Sequence, residues 1–220
     1  LETLTINSTG ALSTLTTLTN IAGLETLNIT GSGAVDISAT ALGATTTTIN
    51  ASAATGATTI LASALAATAT YTGGTGNDEL DLQAALASTQ TLNGGDGIDT
   101  LTVDSAITTG ETALVTNFEV LGVDANAGAF SQDMDFAAFD TAAILVAGGT
   151  VTFSDAADGF TINANVDLTA AQDIVVNLKT NTASDDVTIN VGNIAGGVDL
   201  IGIDPDTNYE TVTVNSQGTA

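Results

Sequence analysis

Two aspartates, Asp78 and Asp99, each close a glycine-rich run of the same pattern. The first run is Gly73-Gly74-Thr75-Gly76-Asn77-Asp78-Glu79-Leu80-Asp81, and the second is Gly94-Gly95-Asp96-Gly97-Ile98-Asp99-Thr100-Leu101-Thr102. Both read G-G-x-G-x-D-x-L-x. Glycine reaches positive φ without a Cβ penalty, so such a run can turn several carbonyl oxygens toward one point. The aspartate adds formal charge there. Carbonyls and carboxylates are the donors that a hard cation such as calcium takes, about six to eight of them. The x-Leu-x that follows starts a strand with leucine facing inward. Each copy reads as half a cation cage followed by a short strand; two ordinary β-turns are the plain alternative.

The elements around these runs must hold them one above the other. Leu1-Glu2-Thr3-Leu4-Thr5-Ile6-Asn7 returns as Leu24-Glu25-Thr26-Leu27-Asn28-Ile29-Thr30, 23 residues later. Apolar residues alternate within each copy, which is the period of a strand. Further short strands are expected at 35–37, 47–50 and 59–61, punctuated by Gly10, Gly23, Gly31, Gly33, Gly43 and Gly56. A repeat of about 20 residues with one short strand after another is the signature of a solenoid. The alanine run 62–67 is open to a helix by propensity. A narrow β-helix, whose inner face needs small residues, accounts for it as well. Residues 82–88 read as a short excursion, open to a helix.

Beyond the second glycine run, strands are expected at 101–103, 118–123, 143–146, 151–153, 160–163, 174–178, 187–191, 198–203 and 211–214. The 118–123 segment resembles the Leu-Glu-Thr-Leu units. Asparagine follows an apolar residue at Asn7, Asn50, Asn163 and Asn190, which suits coil corners with stacked amides and equally suits ordinary turns. The predicted fold is all-β: a parallel β-helix or β-roll solenoid of short strands, with an antiparallel sandwich-like C-terminal portion as the alternative, because the strand spacing also suits a sandwich. Three regions follow: 1–72, a Thr/Ala-rich solenoid; 73–125, the glycine loops and continuing coils; and 126–220, an acidic β-rich region. Only Glu2, Glu25 and Asp36 are acidic before residue 78, and the other 22 acidic residues follow.

Composition excludes several functions. The net charge is −24 and Lys179 is the only basic residue, so there is no cationic surface to neutralise nucleic-acid phosphates. An anionic membrane surface would repel the chain, and no 18-residue apolar span marks membrane insertion. So acidic a chain needs cations to relieve its self-repulsion. A high-salt habitat is the other account of that acidity, but it does not explain the loop pattern. There is no cysteine, hence no disulfide or thiolate site, and no histidine, the commonest general base. With two tyrosines, no tryptophan, one lysine and no G-x-S-x-G, no enzyme is expected, although paired carboxylates can hydrolyse glycosides elsewhere. The start at Leu1, inside a strand-like pattern and without a signal peptide, suggests a segment of a longer protein.

The two nonapeptides resemble the RTX (repeats-in-toxin) calcium repeat. That family stacks alternate repeats on one side of a parallel β-roll, about 18 residues apart. Gly73 and Gly94 are 21 residues apart, one coil with a short insertion. The resemblance implies one shared calcium ion between loops 73–78 and 94–99, with Asp78 and Asp99 as carboxylate ligands. Carbonyls near Thr75, Gly76, Asp96 and Gly97 would add to the set, Gly73 and Gly94 would frame it, and Asp96 would bring an extra carboxylate. This chain departs from the family in having two nonapeptides rather than a long tandem array. Asp133 with Asp135, Asp155 with Asp158, Asp185 with Asp186, and Asp204 with Asp206 are further acidic pairs that could complete a site. The composition as a whole resembles RTX-type bacterial surface-layer (S-layer) proteins: rich in Thr, Ala, Gly, Asp and Asn, cysteine-free and nearly lysine-free. That resemblance implies type I secretion, an extracellular cell-surface location, and copies of the chain assembling through calcium into a lattice. Cell-surface polysaccharide is a further implied partner, and an RTX adhesin that binds glycans or other cells is the alternative.

Overall fold

Threonine, valine and isoleucine alternate with small polar residues along most of the chain, and β-branched side chains pack well on a pleated surface. In the computed structural model they form twenty short strands, all between described residues. The description covers all but residues 19–20, 109, 112–113, 125–128, 136–138, 146–148, 165, 167–173, 181, 192–202, 206–208 and 217–220. Among the described residues every strand pairing is parallel and no α-helix forms. None is therefore long and apolar enough to cross a membrane. The fold is a β-solenoid, and the chain divides into two units: one of residues 1–103 with 107–119, the other of 104–106 with 120–220.

The first unit holds β1 (Thr3–Asn7), β2 (Ser13–Thr14), β3 (Thr26–Gly31), β4 (Val35–Ile37), β5 (Thr48–Ala54), β6 (Thr58–Leu61), β7 (Thr70–Thr72), β8 (Glu79–Asp81), β9 (Thr91–Asn93), β10 (Thr100–Val103) and β11 (Val115–Thr116). Odd and even strands fall into two stacks. One is the six-stranded sheet β1-β3-β5-β7-β9-β11; the other runs β2-β4-β6-β8-β10. The sequence repeat is the register: Leu4 pairs with Leu27, Leu27 with Ile49, Ile49 with Tyr71, and Tyr71 with Leu92. From Leu27 to Leu92 this inner column is buried. Each such side chain contributes about 1.5–3 kcal/mol on burial. The other stack sets Ile37, Ile60, Leu80 and Leu101 in register, also buried. Leu80 and Leu101 thus face inward as their nonapeptides predict.

The second unit holds β12 (Val120–Val123), β13 (Phe130–Asp133), β14 (Thr141–Ile144), β15 (Val151–Ala156), β16 (Phe160–Ala164), β17 (Ile174–Leu178), β18 (Asp186–Val191), β19 (Ile203–Pro205) and β20 (Thr211–Ser216). They stack as β12-β14-β16-β18-β20 and as the four-stranded sheet β13-β15-β17-β19. The sandwich-like alternative for this region does not form, because consecutive strands pair with the next coil and not with each other. Phe153 packs between Phe130 and Phe160, with ring centroids 6.5 and 5.4 Å away. Of the asparagines expected at coil corners, Asn163 and Asn190 lie inside β16 and β18 and their amides stack: Asn190 donates to Asn163 at 2.9 Å, and Asn215 to Asn190 at 3.0 Å. Asn7 pairs with Thr30, and Asn50 Oδ1 accepts from Ser52 in its own coil, so no such ladder joins them. Of the strand expected at 198–203, all but Ile203 lies outside the described residues.

Several local readings are decided by the structure. Residues 62–67 and 82–88, each left open to a helix, form none: they are turns, bends and irregular chain between strands. Alanine propensity is outweighed there by the neighbouring strands, which must turn a corner within a few residues. The 118–123 segment becomes a strand only at Val120–Val123 and pairs with β14, whereas Leu24-Glu25-Thr26-Leu27 leads into the six-stranded sheet. The short strands β7 and β9, which lead into the glycine runs, were not marked by the alternation pattern, being only three residues each.

Candidate functional site

Loop 94–99 lies over loop 73–78, joined to it and its flanks by a series of hydrogen bonds. Gly73 N donates to Asn93 O at 2.8 Å, Asp96 N to Gly74 O at 2.9 Å, Ile98 N to Asn77 Oδ1 at 3.1 Å and Thr100 N to Asp78 O at 2.8 Å. The glycines serve this close approach. A Cβ on Gly73 would stand 1.7 Å from Gly94 O, and one on Gly94 would stand 1.8 Å from Asn117 O. Any side chain there would force the coils apart.

The two aspartates are buried at the inner edge of the loops, Asp78 at 1% and Asp99 at 0% exposure. Asp78 Oδ1 accepts the Thr58 amide at 2.7 Å and the Thr58 hydroxyl at 3.0 Å, while Oδ2 accepts the Gly74 amide at 2.7 Å. Asp99 Oδ1 accepts the Asp78 amide at 2.7 Å. Asp99 Oδ2 is buried with no hydrogen-bond partner. The difference lies in the backbone. Gly74 turns its N–H onto its own loop's aspartate, but Gly95 sits at φ +105° and gives its N–H to Asn93 Oδ1 at 3.1 Å. Asn93 takes the place that Thr72 occupies one coil earlier. The Gly74 amide goes to Asp78, whereas the Asn93 amide oxygen takes the Gly95 amide, and Asp99 Oδ2 has no donor.

The same contact continues in both directions. Thr58 is the member before Asp78, and Glu119 follows Asp99: the Asp99 amide donates to Glu119 Oε2 at 2.8 Å, and Glu119 N returns to Asp99 O at 3.1 Å. A carboxylate of each coil thus holds the corner amide of the coil before it. The second unit repeats the clasp at Asp185 and Glu210. Asp185 N donates to Glu210 Oε2 at 2.8 Å and Glu210 N to Asp185 O at 3.0 Å. Sequence reasoning missed Thr58, Glu119 and this second pair. The coil period carried one step each way from the glycine runs, 20 residues from Asp78 to Thr58 and 20 from Asp99 to Glu119, is the signal that finds the first two.

Crowded acids in a dry corner resist ionisation. Burial pushes the Asp99 carboxyl up to about 6, and the charges of Asp78, Glu119 and Asp96 act in the same direction against the hydrogen bond from the Asp78 amide. Burial also raises Asp78, opposed by its bonds from Gly74 and Thr58. Tyr71 stacks on Phe118 at 6.1 Å between centroids, and burial followed by the Asp78 charge raises its phenol above the ordinary range.

The remaining predicted site residues lie at the surface of the same stack. Thr75 is exposed, with its amide on Ala54 O at 3.1 Å; Gly76 is half-buried; Asp96 and Gly97 are exposed. The structure therefore brings Asp78 and Asp99 together through backbone and carboxylate, and leaves Asp96 on the outer side of its loop. Among the described residues no three acidic side chains converge as a cage of carboxylates. For a cation the observation that counts is Asp99 Oδ2, a buried charged oxygen without a donor. Asp78 offers less, because its two oxygens already accept three hydrogen bonds. Of the other acidic pairs, Asp133 and Asp135 lie near Lys179, which forms an ion pair with Asp135. The Asp186 amide donates to Asp158 Oδ1 at 2.8 Å, and Asp206 lies outside the described residues.

Fold and site together define a parallel β-solenoid with stacked carboxylate-bearing corners. No family model, curated protein or solved structure matches this chain.

Proposed function

We propose that this chain is part of an extracellular structural protein, a calcium-stabilised β-solenoid whose copies assemble into a lattice at a bacterial cell surface. The fold supports a structural role: it is a stack of coils whose interior is filled with side chains. The observation that carries the reading is Asp99 Oδ2, a carboxylate oxygen buried at the joint of two G-G-x-G-x-D loops with no donor of its own. A cation there would supply the missing positive charge. Asp99 would hold it, with the carbonyls near Thr75, Gly76 and Gly97 adding oxygens and Asp78 bracing the joint from below, while Asp96, on the outer side of its loop, would add negative charge nearby. The rest of the molecule adds a demand for cations, since a charge of −24 meets a single lysine.

The bound ion would neutralise the carboxylate that burial makes costly, so its binding free energy becomes folding free energy. At low calcium the unneutralised acids favour the open chain; at high calcium the stack closes and presents its faces to other copies. A calcium titration followed by circular dichroism, sizing and electron microscopy tests this. The expected outcome is a calcium-dependent gain of strand signal together with growth into sheets. Strand content and assembly state that ignore chelation would overturn it. A chain that stays monomeric while retaining a glycan ligand would point to the adhesin instead.

A further inference from the structure

A second buried oxygen lies by the Asp99 corner without a hydrogen bond. The Tyr71 hydroxyl, on a side chain only 1% exposed, meets no partner. Buried polar groups are nearly always paired, because folding strips them of water. Phenylalanine would fill the same space at no such cost, so packing alone does not ask for the hydroxyl. Thr58 is a polar neighbour beside the phenol, yet its own proton goes to Asp78 Oδ1 at 3.0 Å and it forms no hydrogen bond with Tyr71.

The register places this hydroxyl. Tyr71 lies in β7, level with Leu92 of β9, and β9 pairs in turn with β11. Phe118 comes just after β11, on the corner two coils beyond Tyr71. Two coils are about 9.6 Å apart along the stack. The two rings nevertheless stack with centroids 6.1 Å apart. They lean toward each other past the coil between them, whose corner is loop 94–99. Phe118 is next in sequence to Glu119, which holds the Asp99 amide at 2.8 Å, and the phenol feels the charges of Asp78 and Asp99. Both rings are buried. The inner side of the Asp99 corner is thus walled by an aromatic pair that carries one hydroxyl.

We propose that the Tyr71 hydroxyl supplies an inner, neutral oxygen to the calcium ion held at Asp99, and that the Tyr71–Phe118 pair keeps water from that side. The inference rests on the calcium reading of this corner and adds to it a ligand outside both glycine runs. Two buried oxygens without hydrogen bonds, Tyr71 Oη and Asp99 Oδ2, then share one cause. Calcium takes uncharged oxygens beside carboxylates, in flexible sets of about six to eight. Asp78, Asp96 and Glu119 already crowd Asp99 with negative charge, so a further donor gains most by being neutral. A phenol oxygen both donates and accepts, so its lone pair can face the ion while its proton turns toward Thr58 Oγ1.

The test uses the whole chain, its Tyr71→Phe variant, which keeps the ring against Phe118, and Tyr209→Phe, which removes the other tyrosine, in the second unit. Calorimetric titration should show calcium binding weakened by about tenfold in Tyr71→Phe, as for the loss of one polar contact to a charge, and unchanged in Tyr209→Phe. Terbium, a calcium substitute whose emission a nearby tyrosine excites, reads proximity in a chain without tryptophan. Tyrosine-excited emission should appear in Tyr209→Phe, where Tyr71 is the only tyrosine, and be lost when Asp99→Asn is added. That emission decides even if Tyr71→Phe loses strand signal in circular dichroism. Calcium affinity equal to the parent's in folded Tyr71→Phe overturns the inference and leaves the calcium site standing. So does Tyr209→Phe without terbium emission, or emission that survives Asp99→Asn. A parent chain that binds no calcium overturns the inference together with the calcium reading.

Discussion

The amide of Asp78 donates to the carboxylate of Asp99 at 2.7 Å, across a sequence separation of 21 residues. This contact joins the two glycine runs, and it fixes which oxygen of Asp99 remains without a donor. A repeated turn motif thereby becomes a repeated coil-to-coil clasp. Thr58, Asp78, Asp99 and Glu119 form one line of amides and acceptors along the corner of the first unit.

The pH dependence of stability should carry the mark of Asp99. Its carboxyl is raised from 3.8 to about 6 by burial first, so between those values the folded chain keeps a proton that the unfolded chain has released. This contribution is fully present below 3.8 and is lost as pH rises through 6. Without divalent cations, urea midpoints should decline across that window, and Asp99→Asn should flatten the decline. A calcium ion held at Asp99, as proposed, would take the ionised form, so added calcium should reverse the slope. A chain whose midpoint is flat from pH 4 to 6 with chelator present would contradict the assigned environment of Asp99.

Asp78 is expected to matter more for folding than for ion binding. Asp78→Ala leaves the Thr58 amide, the Thr58 hydroxyl and the Gly74 amide without their acceptor in a dry corner. Unsatisfied buried donors cost about 1–3 kcal/mol each, and relief of the buried charge offsets part of that, so the net loss should be about 3–5 kcal/mol. Asp78→Asn keeps one acceptor oxygen and should lose about half as much. Chemical denaturation with saturating calcium, and again with chelator, separates the two roles. A loss that vanishes when calcium is removed would make Asp78 a ligand first.

The strands and their register were legible because Leu1-Glu2-Thr3-Leu4 and Leu24-Glu25-Thr26-Leu27 repeat the alternation one coil apart, and alternation reports which side faces the core. The joint between Asp78 and Asp99 was legible for the same reason, as their spacing matches a coil. What each carboxylate oxygen meets was not legible. Asp78 and Asp99 close identical patterns, yet Gly74 donates to one and Gly95 turns away from the other to Asn93, which stands where Thr72 stands one coil earlier. That outcome depends on one backbone angle and one side-chain acceptor outside the motif. Glu119 was hidden for a related reason. It performs the aspartate's task without glycines before it, with a longer side chain reaching the same amide.

Glycine substitutions should separate stacking from turn formation. Gly73→Ala puts a Cβ 1.7 Å from Gly94 O, a contact that only coil separation relieves, whereas Gly43 has nothing within 4 Å of its Cβ position. Gly73→Ala should therefore destabilise by about 3 kcal/mol or more. Gly43→Ala should be neutral or stabilise by up to about 1 kcal/mol through the unfolded chain. Thermal melts of the two variants beside the parent chain check the contrast. Equal melting temperatures would mean that loops 73–78 and 94–99 are further apart than described.

Glu119 offers the sharpest test of the clasp, since the wild-type side chain does two opposed things. Its Oε2 accepts the Asp99 amide at 2.8 Å, and its charge raises the Asp99 pKa. Glu119→Gln keeps an acceptor oxygen and removes the charge, so Asp99 should titrate at lower pH while stability near neutrality holds or rises. Glu119→Ala removes both, leaving the Asp99 amide unpaired at a cost of about 1–3 kcal/mol. Carboxylate chemical shifts followed by NMR give the titration, and urea melts at pH 7 give the stability. If glutamine and alanine lower stability equally, the amide contact contributes nothing and the ladder ends at Asp99. If glutamine leaves the Asp99 titration in place, the shift at Asp99 comes from burial and from the charges of Asp78 and Asp96, without Glu119.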